Sequence, residues 1–135
     1  MNQLYDYYTN HHKLNNILWA WTPDKPWEDV ADYYPNSNTV DILGCDIYPQ
    51  KNNPVVYTQE FYDRMLKLAK GKPLALTENS VLPNEEILKK QPWTWMMSWG
   101  KMVYEQSSTK EIQDFADSKQ VIMLNKLPKK IRTHN

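Results

Sequence analysis

Cysteine and glycine are scarce in this chain of 135 residues, which contains one cysteine and three glycines. A single cysteine excludes an internal disulfide and a cysteine-rich zinc site. Cys45 lies inside a strand-like run, which favours a buried structural thiol over a nucleophile. The glycines are isolated from one another, so the sequence has no glycine-rich phosphate loop and gives no support to a nucleotide-binding domain.

Net charge and long apolar runs are missing as well. The 16 basic and 16 acidic side chains give a formal net charge of zero, so composition gives no reason to expect binding to nucleic acid or to an anionic membrane. No apolar stretch approaches the roughly 18 residues that a membrane-spanning helix needs. The N-terminus has neither the charged start nor the apolar centre of a signal peptide. The length corresponds to about one domain.

Phenylalanine is also rare, whereas the chain has six tryptophans and nine tyrosines against two phenylalanines. Trp and Tyr combine a flat apolar face with a polar edge, a combination that suits stacking on sugar rings. Some of these side chains are expected to fill a core. A core alone, however, would not favour Trp and Tyr over Phe so strongly.

Strand-like and helix-like segments alternate along the chain. The predicted strands are residues 17–21, 39–48, 74–77 and 93–99. The predicted helices are residues 4–13, residues 58–70 and two that begin near Asn84 and Ser108, while 26–38 is expected to be a loop and 121–124 a short extended piece. Thr58 and the Ser108–Glu111 pair are typical helix starts. This alternation predicts an α/β fold with a parallel sheet.

The helix that begins at Thr58 has a clear apolar stripe. Four residues at helical spacing are expected to face the core, namely Phe61, Met65, Leu68 and Ala69. Gly71 follows as a good C-terminal stop.

Glu78 ends the apolar run of residues 72–78 (KPLALTE). A carboxylate at the carboxyl end of a buried strand stands where barrel enzymes keep their catalytic groups. The alternative is a glutamate that merely begins a loop. Strand ends of a parallel sheet meet at one edge, and here they would bring together Trp21, Asp46, Tyr48, Glu78 and Trp99. A carboxylate, a tyrosine hydroxyl and flat aromatic rings are what glycoside hydrolysis uses.

Other polar residues give weaker signals. Asp46 is predicted to contact substrate or to orient its neighbours, and a second catalytic carboxylate is the open alternative. His11 and His12 are adjacent in a polar helix end, where solvent exposure explains them better than a metal site, and His134 lies in a polar tail. No metal and no cofactor is predicted.

Three segments in order resemble glycoside hydrolase family 26, whose best-known members are endo-β-1,4-mannanases. They are residues 15–23 (NNILWAWTP), residues 34–35 followed by 40–48 (VDILGCDIY), and residues 72–78. Residues 93–99 resemble the last barrel strand of that family. The resemblance covers nearly the whole chain and implies a (β/α)8 TIM barrel that cleaves β-mannan, or a related β-linked polysaccharide, with retention.

The resemblance also implies residue roles. Glu78 matches the nucleophile at the end of the seventh strand, and Tyr48 matches the tyrosine that hydrogen-bonds it. Trp99 resembles the tryptophan that stacks near the cleaved sugar, and Trp21 is expected to line the same cleft. The sequence departs from the family at residues 79–80, where a glycine is common, and at residues 100–102, which lack a His-Gly-Asp-like continuation. Both departures concern substrate contacts more than the fold.

The four predicted strands resemble the last four of the eight strands in the family barrel. In the family, the acid/base glutamate lies at the end of the fourth of those eight strands, which this chain does not contain. The expectation is therefore that residues 1–135 form the C-terminal half of a catalytic domain, about four βα units. Such a fragment carries the nucleophile, lacks the acid/base and is inactive alone. Its open sheet edges predict pairing with the missing N-terminal half or with a second copy.

Two other interpretations stay open. One is a non-catalytic carbohydrate-binding module that keeps the aromatic platform, and the other is an α/β domain of unrelated function. Because polysaccharide-degrading enzymes act outside the cytoplasm, an extracellular or periplasmic location is expected for a full-length parent, although this chain shows no export signal.

Overall fold

A parallel four-stranded sheet organises the chain. The computed structural model describes residues 1–48 and 56–128. The strands follow one another in space in the order of the sequence, and they are β1 (Ala20–Trp21), β2 (Ile42–Ile47), β3 (Leu74–Asn79) and β4 (Trp95–Ser98). All three pairings are parallel. The predicted α/β fold with a parallel sheet is confirmed.

Helices and short turns connect the strands. The helices are α1 (Asn2–Tyr5), which continues as a π-helical turn (Asp6–His11), α2 (Gln59–Ala69), α3 (Glu85–Lys90), α4 (Gly100–Gln106) and α5 (Thr109–Asp117). Among the described residues, 3-10 turns occupy Val30–Tyr33, Ser37–Thr39 and Leu124–Lys126. Within the described ranges, no helix is long and apolar enough to cross a membrane.

Side-chain caps explain where three helices begin. The Thr58 hydroxyl accepts a hydrogen bond from the Phe61 amide at 3.3 Å, and the Asn84 side chain caps α3 in the same way. Ser108 and Glu111 form a reciprocal capping box at the start of α5. Each satisfies amides that a helix start leaves unpaired, so these three predicted helix starts are confirmed.

Other element predictions need correction. The first strand shortens to two residues and the third extends to Asn79. Helix α4 was not predicted, because its N-cap residue Trp99 makes no side-chain cap and the sequence therefore carries no start signal. The extended piece expected at residues 121–124 forms no strand; Met123 is extended, and the piece ends where a 3-10 turn begins at Leu124.

The core lies between one face of the sheet and helix α2. Leu43, Cys45 and Ile47 alternate along β2 and are fully buried, as period-two alternation requires. From α2, Met65 and Ala69 are fully buried, Phe61 and Leu68 are partly buried, and Tyr62 joins them without having been predicted. Cys45 is a free, fully buried thiol, as predicted, and burial raises its pKa to about 12.

The opposite face of β2 carries a different set of side chains. Gly44, Asp46 and Tyr48 alternate with the three core residues and therefore face away from α2. Asp46 and Tyr48 are only partly buried. Strand β2, continued to Tyr48, thus presents apolar core residues on one face and two polar side chains, Asp46 and Tyr48, on the other.

Adjacent residues of α2 provide a test of this core. Met65 is 0% exposed, whereas Leu66 is 48% exposed. Met65→Ala is expected to lower the free energy of unfolding by about 2–5 kcal/mol, because it removes buried apolar contacts and leaves a cavity. Leu66→Ala, the control, should change it by less than about 0.5 kcal/mol. Urea unfolding measures both, and equal losses would contradict the described core.

Candidate active site

Glu78 is the centre of a cluster at the carboxyl ends of three neighbouring strands. The Tyr48 hydroxyl, just after β2, donates a hydrogen bond to Glu78 Oε2 at 2.7 Å. The indole Nε1 of Trp99, just after β4, donates to the same oxygen at 3.3 Å. Consecutive parallel strands bring their ends to one edge of the sheet, and the structure brings these three predicted residues together as that topology requires.

The hydroxyl of Tyr48 is held in its protonated form. Burial raises the pKa of Tyr48 to about 12, the hydrogen bond to Glu78 and the charge of that carboxylate add to the rise, and the indole of Trp99 partly offsets it. Tyr48 is therefore neutral at ordinary working pH. A neutral phenol can donate to the Glu78 carboxylate and fix its orientation.

Asp46 lies level with Glu78 in the pairing of β2 with β3. Its Oδ1 accepts a hydrogen bond from the Thr77 hydroxyl at 2.8 Å. The pKa of Asp46 is raised, first by burial and then by the nearby Glu78 and Asp24 carboxylates, while the bond from Thr77 works against the rise. Thr77 therefore holds the Asp46 carboxylate in this structure, and both an orienting role and contact with a substrate stay predictions.

Trp21 lies on the core side of the sheet, away from the Glu78 cluster. It pairs with Leu43, a residue of the buried core, and neighbouring residues paired across a sheet face the same side. Its ring contacts Tyr34, with ring centroids 4.9 Å apart, and both rings pack against the core. The structure does not bring Trp21 to Glu78, so its expected place in the cleft gains no support.

Three tryptophans of the described residues expose much of their indole ring: Trp99, Trp27 and Trp95, the last of them 41% exposed. Trp99 is 47% exposed, so part of its ring is free while its edge contacts Glu78. Trp27 is 48% exposed and meets Phe61 of α2 edge to face, with ring centroids 5.6 Å apart. Composition predicts an aromatic surface, but it cannot say which tryptophans form it, because that depends on how the strands pair.

The other glutamates lie away from the sheet. Glu28 is in the loop after β1, and the remaining five are helical: Glu60, Glu85, Glu86, Glu105 and Glu111. Glu105, which had no predicted place, belongs to α4 and pairs with Lys101 at 3.8 Å. Of the described residues, no group of three or more His, Cys, Asp or Glu side chains could hold a metal ion. His11 and His12 are exposed, and His134 lies outside the described residues.

The family model of glycosyl hydrolase family 26 matches residues 1–127. The chain belongs to glycosyl hydrolase family 26. The predicted resemblance is confirmed over nearly the whole chain, which includes every residue of the Glu78 cluster.

Curated members of family 26 similar to this chain are mannanases. A mannan endo-1,4-β-mannosidase of Thermothelomyces thermophilus is 38% identical over 100 residues, which is 72% of this chain and 19% of that protein. Mannan endo-1,4-β-mannosidase A of Piromyces sp. is 26% identical over 131 residues, or 93% of this chain and 20% of that protein. The chain thus spans about a fifth of the length of these relatives.

Solved structures of the family share the fold. The GH26A protein of Muricauda sp. has a TM-score of 0.83 at 36% identity, covering 94% of this chain and 42% of that one. A β-mannanase from a symbiotic protist of the termite Reticulitermes speratus, solved with a gluco-manno-oligosaccharide, has a TM-score of 0.77 at 28% identity, covering 94% and 40%. The four strands therefore match part of a family 26 TIM barrel.

The environment of Asp46 generates a prediction about pH. Its pKa in the folded chain lies above the ordinary value of 3.8, so the folded chain binds a proton there more readily than the unfolded chain does. The free energy of unfolding should therefore fall as pH rises through the window just above 3.8. Asp46→Asn carries no titrating group and should remove this part of the slope.

Urea unfolding across the acid range measures the effect. Asp32→Asn is the control, because Asp32 is exposed in the 3-10 turn Val30–Tyr33. This substitution removes one carboxylate and leaves the Glu78 cluster unchanged. If Asp46→Asn and the unaltered chain show the same pH dependence, the described environment of Asp46 is wrong.

Proposed function

We propose that this chain supplies the nucleophile of a retaining β-1,4-mannan hydrolase, with Glu78 in that role. The observation that carries the proposal is the pair of hydrogen bonds from Tyr48 and Trp99 to one oxygen of Glu78, at 2.7 and 3.3 Å. Two donors on Oε2 fix the carboxylate, which leaves Oε1 to attack. This is the arrangement expected of a carboxylate that must approach a sugar carbon along one direction.

The reaction follows from the chemistry of the three side chains. Glu78 attacks the anomeric carbon and forms an ester to the sugar as the glycosidic bond breaks, and the leaving oxygen takes a proton from the acid/base carboxyl. Tyr48, kept neutral by its raised pKa, orients the carboxylate by donating its hydroxyl proton in a hydrogen bond and adds no negative charge to the site. The exposed ring of Trp99 stacks on the sugar next to the bond that breaks.

A retaining hydrolase also needs an acid/base carboxyl about 5–5.5 Å from the nucleophile. The other six glutamates of this chain lie in a loop or on helices. Asp46, which lies level with Glu78, is engaged by Thr77. We therefore propose that residues 1–135 act as the C-terminal half of a catalytic barrel, that the acid/base comes from outside these residues, and that the chain alone is inactive on mannan.

The open edges of the sheet support a partner for this chain as part of the proposal. Strands β1 and β4 stand at the two edges of the sheet, and unpaired edges favour further pairing. The N-terminal half of the barrel would pair with both edges, and a second copy of this chain is the alternative. Mannan as substrate is supported by the curated relatives, which are named mannan endo-1,4-β-mannosidases. An extracellular or periplasmic parent is consistent with a polymeric substrate.

An activated substrate tests the nucleophile without requiring the acid. An aryl β-mannoside with a good leaving group needs no protonation to depart, and hydrolysis of the ester is slow without a base. The expected result is a stable adduct with the mass of one mannosyl group on the unaltered chain, mapped to Glu78 by peptide mass spectrometry. Glu78→Gln should form none, and Glu105→Gln, altered at an exposed position of α4, should form it normally.

Three results would contradict this proposal. Absence of any mannosyl adduct on the unaltered chain would remove it. An adduct at a residue other than Glu78 would remove the nucleophile assignment. Release of reducing sugar from β-mannan by the purified chain, abolished in Glu78→Gln, would show that a complete site assembles and that the chain is active alone.

The alternative is a carbohydrate-binding module, favoured by the exposed indoles of Trp99 and Trp27. Calorimetry with a manno-oligosaccharide distinguishes the two, using Glu78→Gln to prevent reaction. If binding centres on the Glu78 cluster, Trp99→Ala should weaken it by about tenfold, or 1.4 kcal/mol, and Trp27→Ala should not. Binding that depends equally on Trp27, together with no adduct on Glu78, would favour the module.

A further inference from the structure

Strand β3 contains one residue more than its neighbours at the level of the site. In the pairing with β2, Cys45 lies opposite Leu76 and the next residue, Asp46, lies opposite Glu78. Thr77 is therefore passed over. In the pairing with β4, Leu76 lies opposite Met96 and Asn79 opposite Ser98, which again leaves one extra residue in β3. The strand is bulged at Thr77 and Glu78.

The bulge changes which way Glu78 points. In a regular strand, consecutive side chains face opposite sides. Here Thr77 bonds to Asp46 and Glu78 bonds to Tyr48, and these two partners share a face because they are two residues apart on one strand. Thr77 and Glu78 therefore face the same side. A regular β3 would turn Glu78 toward the core side, where Leu76 is buried and where a carboxylate would lose its hydration.

Gly44 makes room for this arrangement. A Cβ atom at Gly44 would lie 2.4 Å from the Thr77 methyl carbon and 2.9 Å from its hydroxyl oxygen. Both distances are far too short for non-bonded contact, and the buried Thr77 (9% exposed) has little space to withdraw. The absence of a side chain at residue 44 is thus what lets Thr77 sit on this face and reach Asp46.

We infer that the hydrogen bond from Thr77 to Asp46 holds the bulge of β3 and thereby aims Glu78 at Tyr48 and Trp99, which makes Thr77 and Gly44 positioning residues. The catalytic meaning of this inference rests on the proposed function. The geometry of the bulge does not depend on that function, because the bulge is present, and can be measured, in the absence of substrate. Thr77 acts on the reaction only through the direction in which Glu78 points.

The indole proton of Trp99 is a direct sensor of that direction, since it is donated to Glu78 Oε2. Its resonance in a ¹H–¹⁵N spectrum should shift on Thr77→Val, which keeps the shape of threonine but removes the donor. The shift should go toward the position seen in Glu78→Ala, where the acceptor is absent. Thr77→Ser keeps the donor and should restore the position of the unaltered chain.

Controls separate positioning from general damage. Thr22→Val makes the same chemical change just after β1, beside Gly44, and should leave the Trp99 resonance in place. Backbone amide resonances of Leu43 and Ile47 report the core and should move little in Thr77→Val. Gly44→Ala should shift the indole resonance in the same direction as Thr77→Val, because the added methyl displaces Thr77.

Asp46→Ala removes the same hydrogen bond from the other strand, so it decides the matter if Thr77→Val fails to fold. In the unaltered chain, three-bond couplings to the Thr77 methyl carbon should report one χ1 rotamer. An unmoved Trp99 resonance in either folded variant, or rotamer averaging at Thr77, would overturn the inference. If the Trp99 resonance and the Thr77 couplings behave as expected but no mannosyl adduct forms, the proposed function is wrong and the inference about positioning still stands.

Discussion

The pairing of β2 with β3 is the constraint on which both faces of this sheet depend. It sets Leu43 and Cys45 beside Leu74 and Leu76 on the side that α2 covers. On the other side the same pairing, displaced by one residue, sets Asp46 level with Glu78. Because side chains alternate along a strand, a slip of one residue would exchange the two faces and bury carboxylates among aliphatic side chains. The apolar core therefore stabilises the register, and the register assembles the site.

Two carboxylates at one level of a partly buried sheet repel each other, and the surrounding donors reduce that cost. Glu78 accepts bonds from Tyr48 and Trp99, while Asp46 accepts one from Thr77. The bond from Thr77 favours the ionised form of Asp46, whereas burial and the neighbouring charges favour its neutral form. At Asp46 burial and repulsion prevail, and the pKa is raised. The site is thus held by hydrogen bonds that oppose, without cancelling, the electrostatic cost of bringing the carboxylates together.

Local signals in the sequence were sufficient for most elements and for the central cluster. Capping residues at Thr58 and Ser108 mark helix starts because they act within one turn, and the strand-end rule located Glu78 because topology alone gathers strand ends. Properties that depend on register were out of reach. The side on which Trp21 lies, the extra residue at Thr77 and the empty space at Gly44 are each decided by a partner on another strand. Helix α4 has no side-chain N-cap, so the local sequence carried no signal of where it begins.

The open edges of the sheet bear on the chemistry as well as on stability. Strand β4 stands at one edge with Trp95 and Met97 41% and 36% exposed, and β1 at the other edge has two residues. A further set of strands would cover this apolar surface, which favours closure. Closure would also remove water from around Glu78 and lower the local dielectric, which strengthens the bonds from Tyr48 and Trp99. The event proposed to complete the barrel would therefore also sharpen the orientation of Glu78.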